Sequence, residues 1–506
     1  MKRIVCLVLA LAFAMSMLAV SAVADDKVTI TMMVDTTVLD QNNGRDAIEA
    51  RWEELASAYA GKTVDLVIIQ PDHSAYYDVM QQRMASNDWP DVLILSSTYY
   101  SDYAASGFLW DMTEAWENSK TYNSGRWIGD SVIEGLKIDG KLFGFAPTRG
   151  NGCLTYIKKA WLDAVGLEAP TTFEEYLVMC DAFVNNDPDG DGQKDTYAIS
   201  HAGFIGNEAP FINYLPEFYQ DAYPFFVQLE DGTWVDGFTQ DSMKAALERL
   251  ADAYDKGYID PSTLTNTTAQ ARNKFYDNTT GAFTYWAGTW ATNLKTNLEA
   301  NNLDGELIAL PPLEGLPLYY DRVPPVWCIT TKAADPQLVF DLFIDTMLDG
   351  GDMQMLWTYG VEGVHWSKAA ETILAGTDKE TTYEEGQFHM LENLEKAGTL
   401  YTKNHIDPML SLATFADGYY DPKEDSVKPE AKASSELFNA NSRLAAIVPT
   451  TSELATYNGD LTTLKNEIVA KVVMGEMTYE EGMALFDEQG GAVMSEVIVD
   501  SLNALN

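Results

Sequence analysis

The chain has little of what most catalytic or metal centres are built from. It has four cysteines and five histidines in 506 residues. Cys6 lies in the first apolar stretch, leaving Cys153, Cys180 and Cys328, which are widely spread and odd in number. That pattern is neither a disulfide framework nor a metal-ligand spacing, although one bridge is compatible with it. Cys180 falls on an apolar helical face with Phe173, Tyr176, Leu177 and Val184, a packing position. His73, His201, His365, His389 and His405 are scattered. There is no Gly-x-Ser-x-Gly elbow, no phosphate loop and no His-Glu-x-x-His motif. Carboxylates are abundant, but no spacing singles out a glycosidase pair. Internal repeats and low-complexity linkers are also missing.

Positive charge is scarce. Lys and Arg number 33 against 76 Asp and Glu, a formal charge of −43. Such a field repels phosphate backbones and anionic membrane surfaces, so nucleic acid is a poor candidate partner. Beyond residue 24 no run approaches the ~18 apolar residues of a membrane span.

Lys2 and Arg3, the apolar run from Ile4 to about Val20, and the small-x-small tripeptide Ala22-Val23-Ala24 have the three parts of a secretory signal. Residues 1–24 are expected to be cleaved before Asp25, leaving an exported, soluble chain, periplasmic or extracellular. Its remaining length exceeds one core and suggests two to four domains.

The first stretch alternates strands (Val28–Val34, Val64–Ile69, Val92–Leu95) with helices (Ala47–Tyr59, Ala75–Ala85), the start of an open α/β sheet with parallel pairing. Thr171-Thr172-Phe173-Glu174 predicts a capping box, as do Thr478 and Glu481. Asp335-Pro336 predicts a helix start, with Asp as cap and Pro in the first turn. Gly281–Trp290 and Val326–Thr330 read as strands, and the last third as mostly helical.

The sharpest local motif is Asp187-Pro188-Asp189-Gly190-Asp191-Gly192-Gln193-Lys194-Asp195. It matches the first nine positions of an EF-hand-type calcium loop, with acidic ligands at 1, 3, 5 and 9, Gly at 6 and a backbone carbonyl at 7. Position 12 is Ala198 rather than Glu, and a strand follows rather than a helix. The expectation is a structural Ca2+ site on Asp187, Asp189, Asp191, Gln193 and Asp195, not a sensor. Aromatic residues gather at Tyr285, Trp286 and Trp290, with others at Tyr99, Tyr100, Trp327, Trp357 and Trp366. Such rings either fill a core or pack on the C–H faces of sugars.

Several segments carry a family resemblance. They are Trp89-Pro90-Asp91-Val92, Gly107-Phe108-Leu109-Trp110-Asp111-Met112-Thr113, Asp139-Gly140-Lys141-Leu142-Phe143-Gly144-Phe145-Ala146-Pro147, and Leu154 to Leu162 followed by Pro170 to Glu175. In order and spacing they resemble the family 1 extracellular solute-binding proteins of ABC-type importers. Tyr359-Gly360-Val361-Glu362-Gly363-Val364-His365-Trp366 and the calcium-like loop resemble segments of its larger, oligosaccharide-binding members. The resemblance implies a two-lobed periplasmic-binding-protein-like α/β fold of type II, with an interlobe ligand cleft and a mostly helical C-terminal part. It implies a monomeric, non-enzymatic receptor that passes a sugar or oligosaccharide to a membrane permease. A secreted glycoside-active enzyme and a receptor for a non-sugar ligand such as a peptide remain the alternatives.

Carried over, lobe 1 is residues 25–147 plus 285–326, and lobe 2 is residues 148–284 plus 327–506. Crossings are expected near Pro147–Gly152, Phe283–Gly288 and Pro325–Ile329. Ligand contacts are then expected from Tyr285, Trp286, Trp290, Trp327, Trp357, Glu362 and Trp366. Arg149 is placed either to meet a ligand or to form an ion pair between lobes. Many relatives carry a lipid-attachment Cys directly after the cleavage site; here Asp25 stands there, so lipid anchoring is not implied.

Overall fold

A computed structural model describes residues 27–39, 44–205, 215–316, 318–373, 375–376, 380–393, 399–400 and 406–505. The expected signal segment 1–24 lies outside them. Among the described residues no helix is long and apolar enough to cross a membrane.

Lobe 1 follows the sequence pattern closely. Strands Val28–Met33, Val64–Ile69 and Val92–Leu95 pair in parallel, with Val28 opposite Val64 and Met32 opposite Val92. The helix Arg45–Ala60 connects the first two and ends at Gly61, whose φ of 66° is left-handed. Its stripe of Ile48, Trp52 and Ala56 is buried against the sheet, as the 3.6-residue period requires. Val326–Ile329 then joins this sheet antiparallel to Val92–Leu95.

Lobe 2 is built on a mixed sheet ordered Tyr197–Ile199, Thr280–Trp286, Cys153–Lys158, Leu307–Ala309. Only the first pair is parallel. One face packs on the helices Phe173–Asn185, Asp241–Asp255 and Ser452–Val473. The other packs on Thr268–Tyr276, Thr289–Ala300 and Pro429–Ala440. The first capping box sits one residue later than expected. Thr172 caps the backbone N–H of Glu175, because the Glu175 carboxylate accepts from the Thr172 N–H and from both the N–H and hydroxyl of Thr171. The Thr478–Glu481 box and the Asp335-Pro336 start form as expected. Trp290 lies in a helix, since the Thr280 strand ends at Trp286.

The packing redraws the expected division of the chain. Trp327, Phe343 and Trp357 join the core of lobe 1, because Val326–Ile329 is a strand of its sheet. Residues 285–298, assigned to lobe 1 on resemblance, pack in lobe 2 with Tyr156 and Phe275. Phe283–Gly288 is therefore no crossing: the strand turns directly into the Thr289 helix within one lobe. The chain passes between the sheets at 147–152 and at 322–325; the latter lies just ahead of the expected Pro325–Ile329, whose residues from Val326 on are a strand of the lobe 1 sheet. Met355 and Tyr359 of the helix Asp352–Tyr359 pack with Trp366 and Phe388 in a small separate cluster.

The C-terminal helices are bolted to lobe 2 by a buried ion pair. Lys465 Nζ lies 2.6 Å from Asp236 Oδ1 and donates to the Pro224 carbonyl, while Ser495 donates to Asp236 Oδ2. Burial pushes the Lys465 ammonium towards a lower pKa, and Asp236 opposes it. Breaking such a pair leaves one charge buried alone, so Lys465→Met should lose roughly 3–5 kcal/mol in urea unfolding. A loss below about 1 kcal/mol would mean the pair does not hold the helices down.

Candidate functional site

The strand order fixes where a ligand would lie. In lobe 1 Val326 stands opposite Leu95, so the second crossing arrives at the carboxyl ends of the parallel strands. In lobe 2 Cys153 stands opposite Trp286, so the first crossing enters where the Thr280 strand ends. Both sheets thus turn these ends towards the crossings, the position at which open α/β sheets hold ligands.

On the lobe 2 edge, the Trp286 ring is half-buried, with the Arg322 guanidinium 4.8 Å above its centre. Trp290, in the first turn of the next helix, is also half-buried and carries Arg272 at 5.0 Å. Tyr285 stands edge-on to Trp290 at 4.6 Å and accepts a hydrogen bond from Arg272 Nη1 at 3.0 Å. Gly288, with φ of 79°, makes the sharp bend between strand and helix; a Cβ there would come within 2.8 Å of Ser435 Oγ and 3.8 Å of Asp407 Oδ2. Burial raises the Asp407 carboxyl above its ordinary pKa.

On the lobe 1 edge, Asp35 follows the first strand almost at once. Burial would raise its pKa, but hydrogen bonds from Thr37 and His73 outweigh that and hold it low. His73 Nδ1 lies 2.6 Å from Asp35 Oδ2. Tyr77 and Tyr99 stack at 3.7 Å with planes 5° apart, and the Tyr77 hydroxyl accepts from the Ser96 N–H at the end of the third strand. The aromatic content of the sequence points to Tyr99 but not to Tyr77, Asp35 or Asp407. Position directly after a parallel strand is the signal that finds Asp35.

Between the edges, the crossings touch. Arg322 N–H donates to the Asn151 carbonyl, and Phe145 and Trp327 exchange both backbone hydrogen bonds at 2.8 Å. Arg149 Nε donates to Asp321 Oδ2 at 3.1 Å, and its Nη2 reaches Ser442 at 3.2 Å. Arg149 is thus committed to an ion pair at the crossings. The segment 410–412 runs alongside: Arg149 N–H donates to the Leu410 carbonyl and Leu412 N–H to the Pro147 carbonyl.

At the far end of the helix Phe173–Asn185, the carboxylates of Asp187, Asp189 and Asp191 converge, with one oxygen from each inside a 4.8 Å span. Asp187 Oδ1 and Asp189 Oδ1 are enclosed yet accept no hydrogen bond from the protein. Burial first, and then the charge of Asp191, raise the Asp189 pKa. A cluster of hard, mutually repelling oxygens, two of them enclosed, fits a calcium-sized cation. Gln193 instead bonds to Asp191 and, like Asp195, is exposed. The loop leads into the strand Tyr197–Ile199, as expected.

The family model of the bacterial extracellular solute-binding protein matches residues 43–320, more than half of the 506 residues. The chain belongs to this family. Among relatives, the lipoprotein LipO of Bacillus subtilis is 26% identical over 207 residues, covering 40% of this chain and 39% of LipO. The polygalacturonan/rhamnogalacturonan-binding protein YtcQ of the same organism is 22% identical over 349 residues, 66% of this chain and 67% of YtcQ. The structure of the S. pneumoniae ABC-transporter substrate binding protein FusA in complex with kestose superposes with a TM-score of 0.62 at 16% identity, covering 95% of this chain and 99% of FusA. A FusA EF-hand mutant in complex with fructo-nystose superposes with the same score and coverage.

In this solute-binding protein the other ligand contacts expected from the sequence separate into three places. Tyr285, Trp286 and Trp290 gather where the Thr280 strand ends in lobe 2. Trp327 and Trp357 are 3% and 1% exposed, packed on each other at 5.8 Å and on Phe343, and belong to the lobe 1 core. Glu362 and Trp366 line a different cavity on lobe 1. Because Arg149 is the charge partner of buried Asp321, Arg149→Met should cost roughly 3 kcal/mol of stability, read by urea unfolding. Unchanged stability would show that Asp321 does not need it.

Proposed function

We propose that this solute-binding protein captures a sugar or oligosaccharide between its lobes and delivers it, unchanged, to the permease of an ABC importer. The reading rests on one observation: two half-buried tryptophans, each with an arginine over its ring, at the cleft edge of lobe 2. Aromatic faces pack on the C–H faces of sugar rings, while guanidinium donors meet the hydroxyls around them. YtcQ is named for polygalacturonan and rhamnogalacturonan binding, and the FusA structure holds kestose, which supports a carbohydrate ligand. Closure about the two crossings would bury the sugar, with Asp35, His73, Tyr77 and Tyr99 as the opposing wall. The protein acts as an exported monomer with no nucleic-acid partner.

Calorimetry with the full chain and a panel of neutral and acidic oligosaccharides tests this. Binding without turnover is expected. Trp286→Ala and Trp290→Ala should each weaken it at least tenfold, about 1.4 kcal/mol, without lowering the melting temperature appreciably. Sugar release at catalytic rates, or selective binding of peptides, would overturn the reading.

Asp187, Asp189 and Asp191 are proposed to hold a structural Ca2+, with the Gln193 carbonyl and Asp195 completing the shell. Calcium at a hundredfold its Kd would add about 2.7 kcal/mol of stability. Melting in excess calcium should therefore exceed melting in chelator by several degrees, and Asp187→Ala/Asp189→Ala should abolish the difference. Identical melting curves for the unmodified chain would refute the site.

A further inference from the structure

A cavity of about 570 Å³ opens on lobe 1. Its walls come from the helix Arg45–Ala60, the helix Asp352–Tyr359 and the turns at 360–368 and 418–420. No described residue of lobe 2 contributes, so the cavity does not depend on lobe closure. Its volume lies within the range of small-molecule sites.

The floor is aromatic and held in place. Trp366 is 8% exposed; its indole N–H donates to the Gly360 carbonyl at 3.1 Å, and its ring stacks on Phe388 at 5.2 Å. Tyr420 beside it is 43% exposed. The Lys368 ammonium stands 4.5 Å over the Tyr420 ring and 5.9 Å from that of Trp366. Glu362 adds an exposed carboxylate on the same side. On the other wall Arg51 lies 3.3 Å from Asp352. Two cations thus face two carboxylates around an aromatic floor.

That arrangement suits an uncharged polyol with flat faces. Each hydroxyl of a pyranose both donates and accepts, so it needs acceptors and donors in alternation. Its C–H face packs on an aromatic ring. Balanced wall charge favours a neutral ring over a uronate. We propose that this cavity is a second carbohydrate site, for a neutral pyranose unit, that works independently of the interlobe cleft.

Saturation-transfer NMR on the full chain, with the neutral methyl pyranosides of glucose, galactose, mannose and xylose, tests it. At least one should receive transfer from the unmodified chain and equally from Trp286→Ala. Tyr420→Ala and, as a milder surface change, Glu362→Gln should each weaken that contact at least tenfold. No transfer to any of the four, or transfer lost in Trp286→Ala and retained in Tyr420→Ala, would overturn the proposal. Calorimetry on the cleft is a separate measurement. Oligosaccharide bound there with the cavity silent defeats this proposal alone; sugar on the cavity with the cleft silent defeats the cleft reading alone.

Discussion

The two crossings lie against one another, backbone to backbone. A Cβ on Gly150 would fall 1.8 Å from the Arg322 carbonyl oxygen, and one on Gly152 would fall 2.3 Å from that of Tyr320. Only glycine admits that approach at these positions. The contact makes the connections a short two-stranded ribbon rather than two independent tethers, and Arg149 with Asp321 pins its lobe 2 end. Relative motion of the lobes must therefore pass through the ribbon's own twist and bend. The edges that meet a ligand are placed by the same device, because both sheets end where the ribbon begins.

Much of lobe 1 is legible in the sequence, since its strands are short apolar runs separated by amphipathic helices, and each period declares itself. The Asp-rich loop is equally legible, because its residues are neighbours in the chain and the turn brings their carboxylates together. The division into lobes is not. Whether Val326–Ile329 belongs to one sheet or the other is decided by a pairing with residues more than two hundred positions earlier, which no local pattern encodes. Trp327 and Trp357 show a second limit. A ring that fills a core and a ring that meets a sugar have the same composition and the same flanking apolar residues. What separates them from Trp286 and Trp290 is the end of a strand, and a strand's end facing a cleft is a property of the assembled sheets.

The charge balance carries a similar lesson. The acidic excess of the chain reads as a solvated surface, and in the fold several lysines and arginines form exposed ion pairs. Those contribute little individually. The cations with definite tasks are few and sit where aromatic rings or buried carboxylates hold them: Arg272 and Arg322 over tryptophans, Arg149 on Asp321, Lys465 on Asp236.

The Lys465–Asp236 bolt also sets an order of events. The core of lobe 2 gathers residues from Ile157 to Leu502, so a nascent chain lacking its last fifty residues has no complete lobe 2 to form. Lobe 1 lacks its Val326 strand until two-thirds of the chain has been made. An exported chain with such long-range closures stays loose until almost all of it is available, because loop-closure entropy must be met before distant contacts reward it. Late closure of this kind would keep a polypeptide threadable during translocation and leave assembly to the far side of the membrane.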